Sequence, residues 1–121
     1  MREINIQTHA HLVLLQGTYA RLEQRRERKA CKKFLEEQLR LLGTLTCVYC
    51  NKPDLKLKAD KRHEAATVDH VVPKSKGGKA DDFNNFAVCC NSCNKKKDSA
   101  TAEEFRNSRY ITKKKHTSKN L

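Results

Sequence analysis

Asp69 and His70 stand side by side in a β-branched run, Thr67-Val68-Asp69-His70-Val71-Val72, with a Cys-x-x-Cys pair on either side. The pairs are Cys47/Cys50 and Cys90/Cys93, and the second runs directly into Asn94. A Cys-x-x-Cys turn presents two sulfurs to one ion, and two such turns complete the tetrahedral thiolate shell that Zn²⁺ prefers. In a zinc ribbon about 15–20 residues separate the pairs. Here 39 lie between Cys50 and Cys90, so the metal is expected to clamp both ends of a sizeable insertion. That insertion carries Asp69 and His70, which gives the zinc a structural role with a closed shell. Cys89 adjoins Cys90, but only Cys90 leaves two residues before Cys93; Cys31 reads as a small apolar residue. An acid, an imidazole and an amide gathered by such a clamp suit work on phosphodiesters.

The rest of the composition agrees with a metal staple. At 121 residues the chain has room for one small domain, and with 37% apolar residues and no Trp its core is lean. Met1-Arg2-Glu3-Ile4-Asn5 lacks the layout of a signal peptide, and the apolar run Leu12 to Leu15 is too short to span a bilayer. A reducing, cytoplasmic setting without membrane association is therefore expected, where thiols bind metal rather than pair as disulfides. The formal charge of +12 points to a polyanionic partner, most often nucleic acid, although such charge also serves solubility. Lys74, Lys76 and Lys79 around Gly77-Gly78, together with Lys95, Lys96 and Lys97, are placed for contact with a phosphate backbone.

Helical spacing of Leu35, Leu39 and Leu42, with Leu22 and Ala30 upstream, predicts a helix over 18–42 ended by Gly43. Its charged face, with Arg25 and Arg28, is either a solvated surface or one for a nucleic-acid backbone. Residues 1–17 are ambiguous: Ile4 and Ile6 alternate like a strand, and Gly17 is expected to break the segment. A short strand and turn is expected over 44–50, no clear periodicity over 51–66, a strand over 67–72 stopped by Pro73, and a second strand over 86–89. A short helix should open near Cys93 or Asn94, and Thr101-Ala102-Glu103-Glu104 fits a capping box for a last helix before a basic, partly disordered tail. Three regions result: 1–43 with the long basic helix, 44–100 with the zinc site, and 101–121.

Val68-Asp69-His70-Val71-Val72-Pro73-Lys74-Ser75-Lys76-Gly77-Gly78, then Asn85-Phe86-Ala87-Val88, then Cys90-x-x-Cys93-Asn94-Lys95, closely resembles the HNH endonuclease family with its flanking zinc knuckles. The resemblance covers about Cys47 to Asp98. It implies an α+β fold: a small zinc-stabilised ββα-metal core, here with an N-terminal basic helix and a short C-terminal helix. It further implies that His70 is the general base, that Asp69 and Asn94 hold one catalytic divalent ion, and that Asn85 braces the loop orienting His70. Asn84 competes for that last role, but Asn85 directly precedes the apolar strand. The family often has glycine soon after the last Asn and Lys, where this chain has Asp98.

The residues support that chemistry independently. A neutral imidazole, with an ordinary pKa near 6.5, can take a water proton at neutral pH. Mg²⁺ or Mn²⁺ prefers oxygen donors, which a carboxylate and a carboxamide supply. In an ideal strand Asp69 and His70 point to opposite faces, so irregular geometry is expected there: the strand should twist, bulge or end, with Pro73 close behind. The expected activity is metal-dependent hydrolysis of nucleic acid, with double-stranded DNA as the expected substrate. The alternatives are a non-catalytic zinc-stabilised nucleic-acid-binding module and, less in keeping with the charge, a protein-interaction adaptor. One site per chain nicks one strand at a time, so cutting both requires a homodimer or repeated encounters. His63 in the loop, and His9, His11 and His116, read as bystanders.

Overall fold

Phe34 and Leu35 are buried, and they lie in the last third of one long helix, α1 (His9–Leu42). The computed structural model describes residues 9–113, with side chains from residue 17 onward, so the strand-like Ile4/Ile6 pattern and the tail beyond 113 lie outside the described residues. Gly17 does not break the segment as expected, because α1 runs straight through it. A single exposed glycine costs a helix only about 1 kcal/mol relative to alanine, and helix-favouring Leu, Gln and Arg surround it. At 34 residues α1 is about 50 Å long. Among its described side chains only the C-terminal part meets the core: Ala30, Phe34, Leu35 and Leu39 pack inward, whereas Leu22 and Leu42, expected on the apolar stripe, are exposed. Gly43 ends the helix as expected, with φ +76° and its N–H donating to the Leu39 carbonyl at 2.8 Å.

The segment 44–50 holds no strand, contrary to expectation. Its backbone is pinned by separate bonds instead: Cys47 N–H to Lys52 O, Val48 N–H to Val88 O, and Leu55 N–H to Leu45 O, each 2.9–3.0 Å. Two strands follow, β1 (Ala66–His70) and β2 (Phe86–Cys90), paired antiparallel from Ala66↔Cys90 to His70↔Phe86. β1 stops two residues short of the predicted end. Val71 N–H donates to the Asn85 backbone carbonyl at 2.9 Å, and Val72 N–H to the Asn85 side chain. The strand is regularly paired through Asp69 and His70, with no bulge; of the expected departures it takes the third, since the ladder ends at His70.

The helix α2 (Asn91–Lys97) opens two residues before the expected start, because the Cys90 thiol accepts from Cys93 N–H as an N-cap. The helix α3 (Ala102–Arg106) carries the expected capping box, Thr101 with Glu104. Leu45, Tyr49, Leu55, Phe86, Val88, Phe105 and Ile111 join the cysteines in one core cluster. The Phe34 ring meets Phe86 edge-on at 5.4 Å and anchors α1 to the sheet. The result is α+β. Among the described residues, no helix is long and apolar enough to cross a membrane.

Candidate functional site

The four sulfurs of Cys47, Cys50, Cys90 and Cys93 all lie within 4.8 Å of one another. Zn–S bonds of about 2.3 Å set tetrahedral corners roughly 3.8 Å apart, and the Cys50–Cys90 pair is separated by 3.7 Å. The donor set therefore fits zinc with every corner taken by a thiol. Hydrogen bonds from Cys89, Cys90 and Cys93 hold the Cys47 thiol far below its ordinary range, and bonding to Cys47 in turn pushes Cys89 and Cys93 up. Four thiolates this close repel one another, and a bound cation is what lets them coexist. Cys89 is buried outside the foursome and donates to the Cys90 carbonyl at 3.2 Å. Cys31 is half-buried against the core, and its desolvation raises the thiol, as suits an inert apolar role.

Beside this clamp lies a cleft of about 410 Å³ lined by Asp69, His70, Pro73, Lys74, Ser75, Asn94, Asp98 and Ser99. The structure thus brings four of the predicted side chains, Asp69, His70, Lys74 and Asn94, to one cavity. Asp69 and His70 alternate along β1, yet both border the cleft because it wraps the end of the strand. The His70 ring leans edge-on against Phe86 at 5.4 Å, and its Nε2 is 3.0 Å from the Ala80 carbonyl oxygen. A carbonyl can only accept, so Nε2 carries the hydrogen and the neutral ring keeps its lone pair on Nδ1. On α2, Asn94 donates from Nδ2 to Thr67 Oγ1 at 3.1 Å and, at 3.4 Å, to the Val68 carbonyl. Those bonds fix the amide orientation and leave Oδ1 for another ligand.

Residues 47–100 match the family model described as HNH endonuclease. This segment is an HNH domain. No curated protein and no solved structure matches the chain. The domain points to nuclease or nucleic-acid-binding activity.

Asn85 does not line the cleft of the HNH domain; it holds the loop that does. Its side chain accepts from Val72 N–H at 2.9 Å and donates to the carbonyls of Val72 and Lys79 at 2.9 and 3.0 Å. The loop so tied carries Ala80, the partner of His70. Gly78 is required at its crossing point, because a Cβ there would stand 1.7 Å from the Val72 carbonyl oxygen. Asn84 contributes its backbone N–H to Asp82 and takes no part in this bracing.

The basic residues divide. Lys79, Lys95 and Lys96 are exposed, as are Arg25 and Arg28 on α1. Lys74 and Lys76 are exposed but paired, with Glu27 at 2.7 Å and with Glu104 at 2.8 Å. Lys97 corrects the expectation of a phosphate-contacting lysine: its side chain is 1% exposed and lies 3.0 Å from Asp69 Oδ1, with a further bond of 2.8 Å to the His70 carbonyl. A buried ammonium needs a partner anion, and Asp69, itself 4% exposed, provides it. The other Asp69 oxygen accepts from the Tyr49 hydroxyl. Desolvation and that carboxylate push the Tyr49 hydroxyl well above its ordinary range, so it donates as a neutral phenol. Tyr49, Gly78, Lys97 and Asp98 are the cleft and support residues that sequence reasoning did not single out for these roles. Lys97 carried a signal in its spacing: it lies three and four residues after Asn94 and Cys93, on their helical face. His63 is exposed in its loop, while the side chains of His9 and His11, and His116 altogether, lie outside the described residues.

Proposed function

We propose that the HNH domain is a metal-dependent endonuclease that hydrolyses DNA phosphodiester bonds, with His70 as general base. The observation that carries this reading is the bond between His70 Nε2 and the Ala80 carbonyl. It fixes the tautomer that offers Nδ1 to an attacking water. When Nδ1 takes the proton, both ring nitrogens become donors and the carbonyl still holds Nε2–H, so the imidazolium stays in place. Asn85 acts at a distance, through the loop that positions Ala80. Asp69, at the floor of the cleft, and Asn94 through Oδ1 form an oxygen donor set that suits a hard divalent ion such as Mg²⁺ or Mn²⁺. Such an ion, when bound, supplies polarisation of the phosphate and stabilisation of the departing 3′-oxygen. The zinc clamp has no open corner for chemistry and serves to hold β2 and α2 against the 47–50 turn.

The alternative, a zinc-stabilised module that binds nucleic acid without cutting it, draws on the engagement of both Asp69 oxygens by Lys97 and Tyr49. Plasmid nicking with Mg²⁺ or Mn²⁺ separates the two. The endonuclease reading expects wild type to nick and His70→Ala to be slower by about 10²- to 10⁴-fold, the usual contribution of a general base. DNA binding should survive the substitution. Equal cutting by both proteins would take His70 out of the reaction, and no cutting by either would favour the binding module.

A further inference from the structure

The charge around Asp69 does not suffice for a dication. Its partner Lys97 lies 3.0 Å away with both side chains almost fully buried, so the pair is electrically neutral within the HNH cleft. An ion approaching Asp69 meets the carboxylate and the ammonium together, and neither is screened by water. Asn94 adds a dipole but no charge. Binding of a divalent ion at this point therefore calls for a second anionic oxygen.

Asp98 is the other carboxylate lining the same cleft. It follows α2 directly, and its N–H donates to the Asn94 carbonyl at 3.2 Å, which ties it to that residue at the helix end. Its carboxylate has no ion pair or hydrogen bond among the described residues, whereas Asp69 has both oxygens engaged. The backbone here takes φ +48° and ψ −118°, a conformation that L-residues rarely adopt and that glycine enters freely. A charged side chain is thus kept where fold alone would favour glycine.

Building on the endonuclease reading, we propose that Asp98 supplies the second carboxylate of the divalent-ion site, completing an oxygen set with Asp69 and Asn94 Oδ1. The test is Mn²⁺ binding to the zinc-loaded full chain, followed by the loss of the free-ion electron paramagnetic resonance signal, for wild type, Asp98→Asn and Asp98→Gly. Both substitutions should raise the Mn²⁺ Kd by about 10- to 100-fold, the range seen when a site loses a supporting carboxylate. Asp98→Gly should melt no lower than wild type, because glycine relieves the positive φ; its weakened binding then cannot be ascribed to misfolding. Wild-type affinity in Asp98→Asn would overturn the assignment while leaving a metal-dependent nuclease intact. Absence of Mn²⁺ binding by wild type would overturn this assignment and the metal-dependent reading together.

Discussion

At the scale of single residues, position in the hydrogen-bond pattern matters more than residue type. Asn85 and Asn84 are neighbours of the same type, yet only Asn85 bridges Val72 and Lys79. Gly78 belongs to that bridge, since any Cβ would strike the Val72 carbonyl and then the Asn85 amide, 2.9 Å away. Gly78→Ala should cost about 1–3 kcal/mol, as forced overpacking does. It should also slow nicking, because the displaced loop carries Ala80 away from His70. Urea unfolding and the plasmid assay check the two halves separately, and retention of both stability and cutting would show that the loop yields without consequence. The Asp-His pair, the final Asn and the paired cysteines were legible in the sequence because their types and offsets suffice. Lys97 was hidden among three consecutive lysines, where only its helical phase distinguishes the inward one. The Tyr49 role could not be read at all, since it stands 20 positions before Asp69 in the chain.

At the scale of elements, the pieces of the HNH core are too short to stand alone. Each strand has five residues and α2 has seven. An isolated two-stranded hairpin is marginal in water, and helices below about 12–15 residues rarely persist. The clamp ties these elements to the 47–50 turn, and Cys90 both ends β2 and caps α2. Removing zinc with a strong chelator should therefore melt the sheet, α2 and α3 together, because ligand assembly and folding share one free energy. Part of the helical circular dichroism should remain, carried by the 34-residue α1. An unchanged spectrum would end the structural role of the metal. The same reasoning explains where the sequence misled. A lone glycine is too weak a breaker to stop a long helix at Gly17, and the apolar 44–50 stretch resembles a strand only until its hydrogen bonds are seen to go to three different partners.

At the scale of the whole molecule, the formal charge of +12 says how strongly a polyanion is drawn in, and the ion pairs say which lysines contribute. Each phosphate neutralised on B-DNA adds about 0.9 to the steepness of log K against log salt. Lys95 and Lys96 are exposed on α2, Lys96 resting 6.0 Å from the Tyr110 ring centre, and among the described residues neither is held in an ion pair. Lys74 and Lys76 must first release Glu27 and Glu104, so part of what they gain from a phosphate is lost in breaking their own pairs. Replacing Lys95 and Lys96 together by Ala should flatten the salt dependence of DNA binding by about 1.8, from two contacts at about 0.9 each. The double replacement of Lys74 and Lys76 should flatten it less, since each already neutralises a glutamate and so displaces fewer counterions from the backbone. Fluorescence anisotropy across a salt series measures both slopes, and equal slopes for the two double variants would show that the ion pairs do not decide which lysines meet the phosphates.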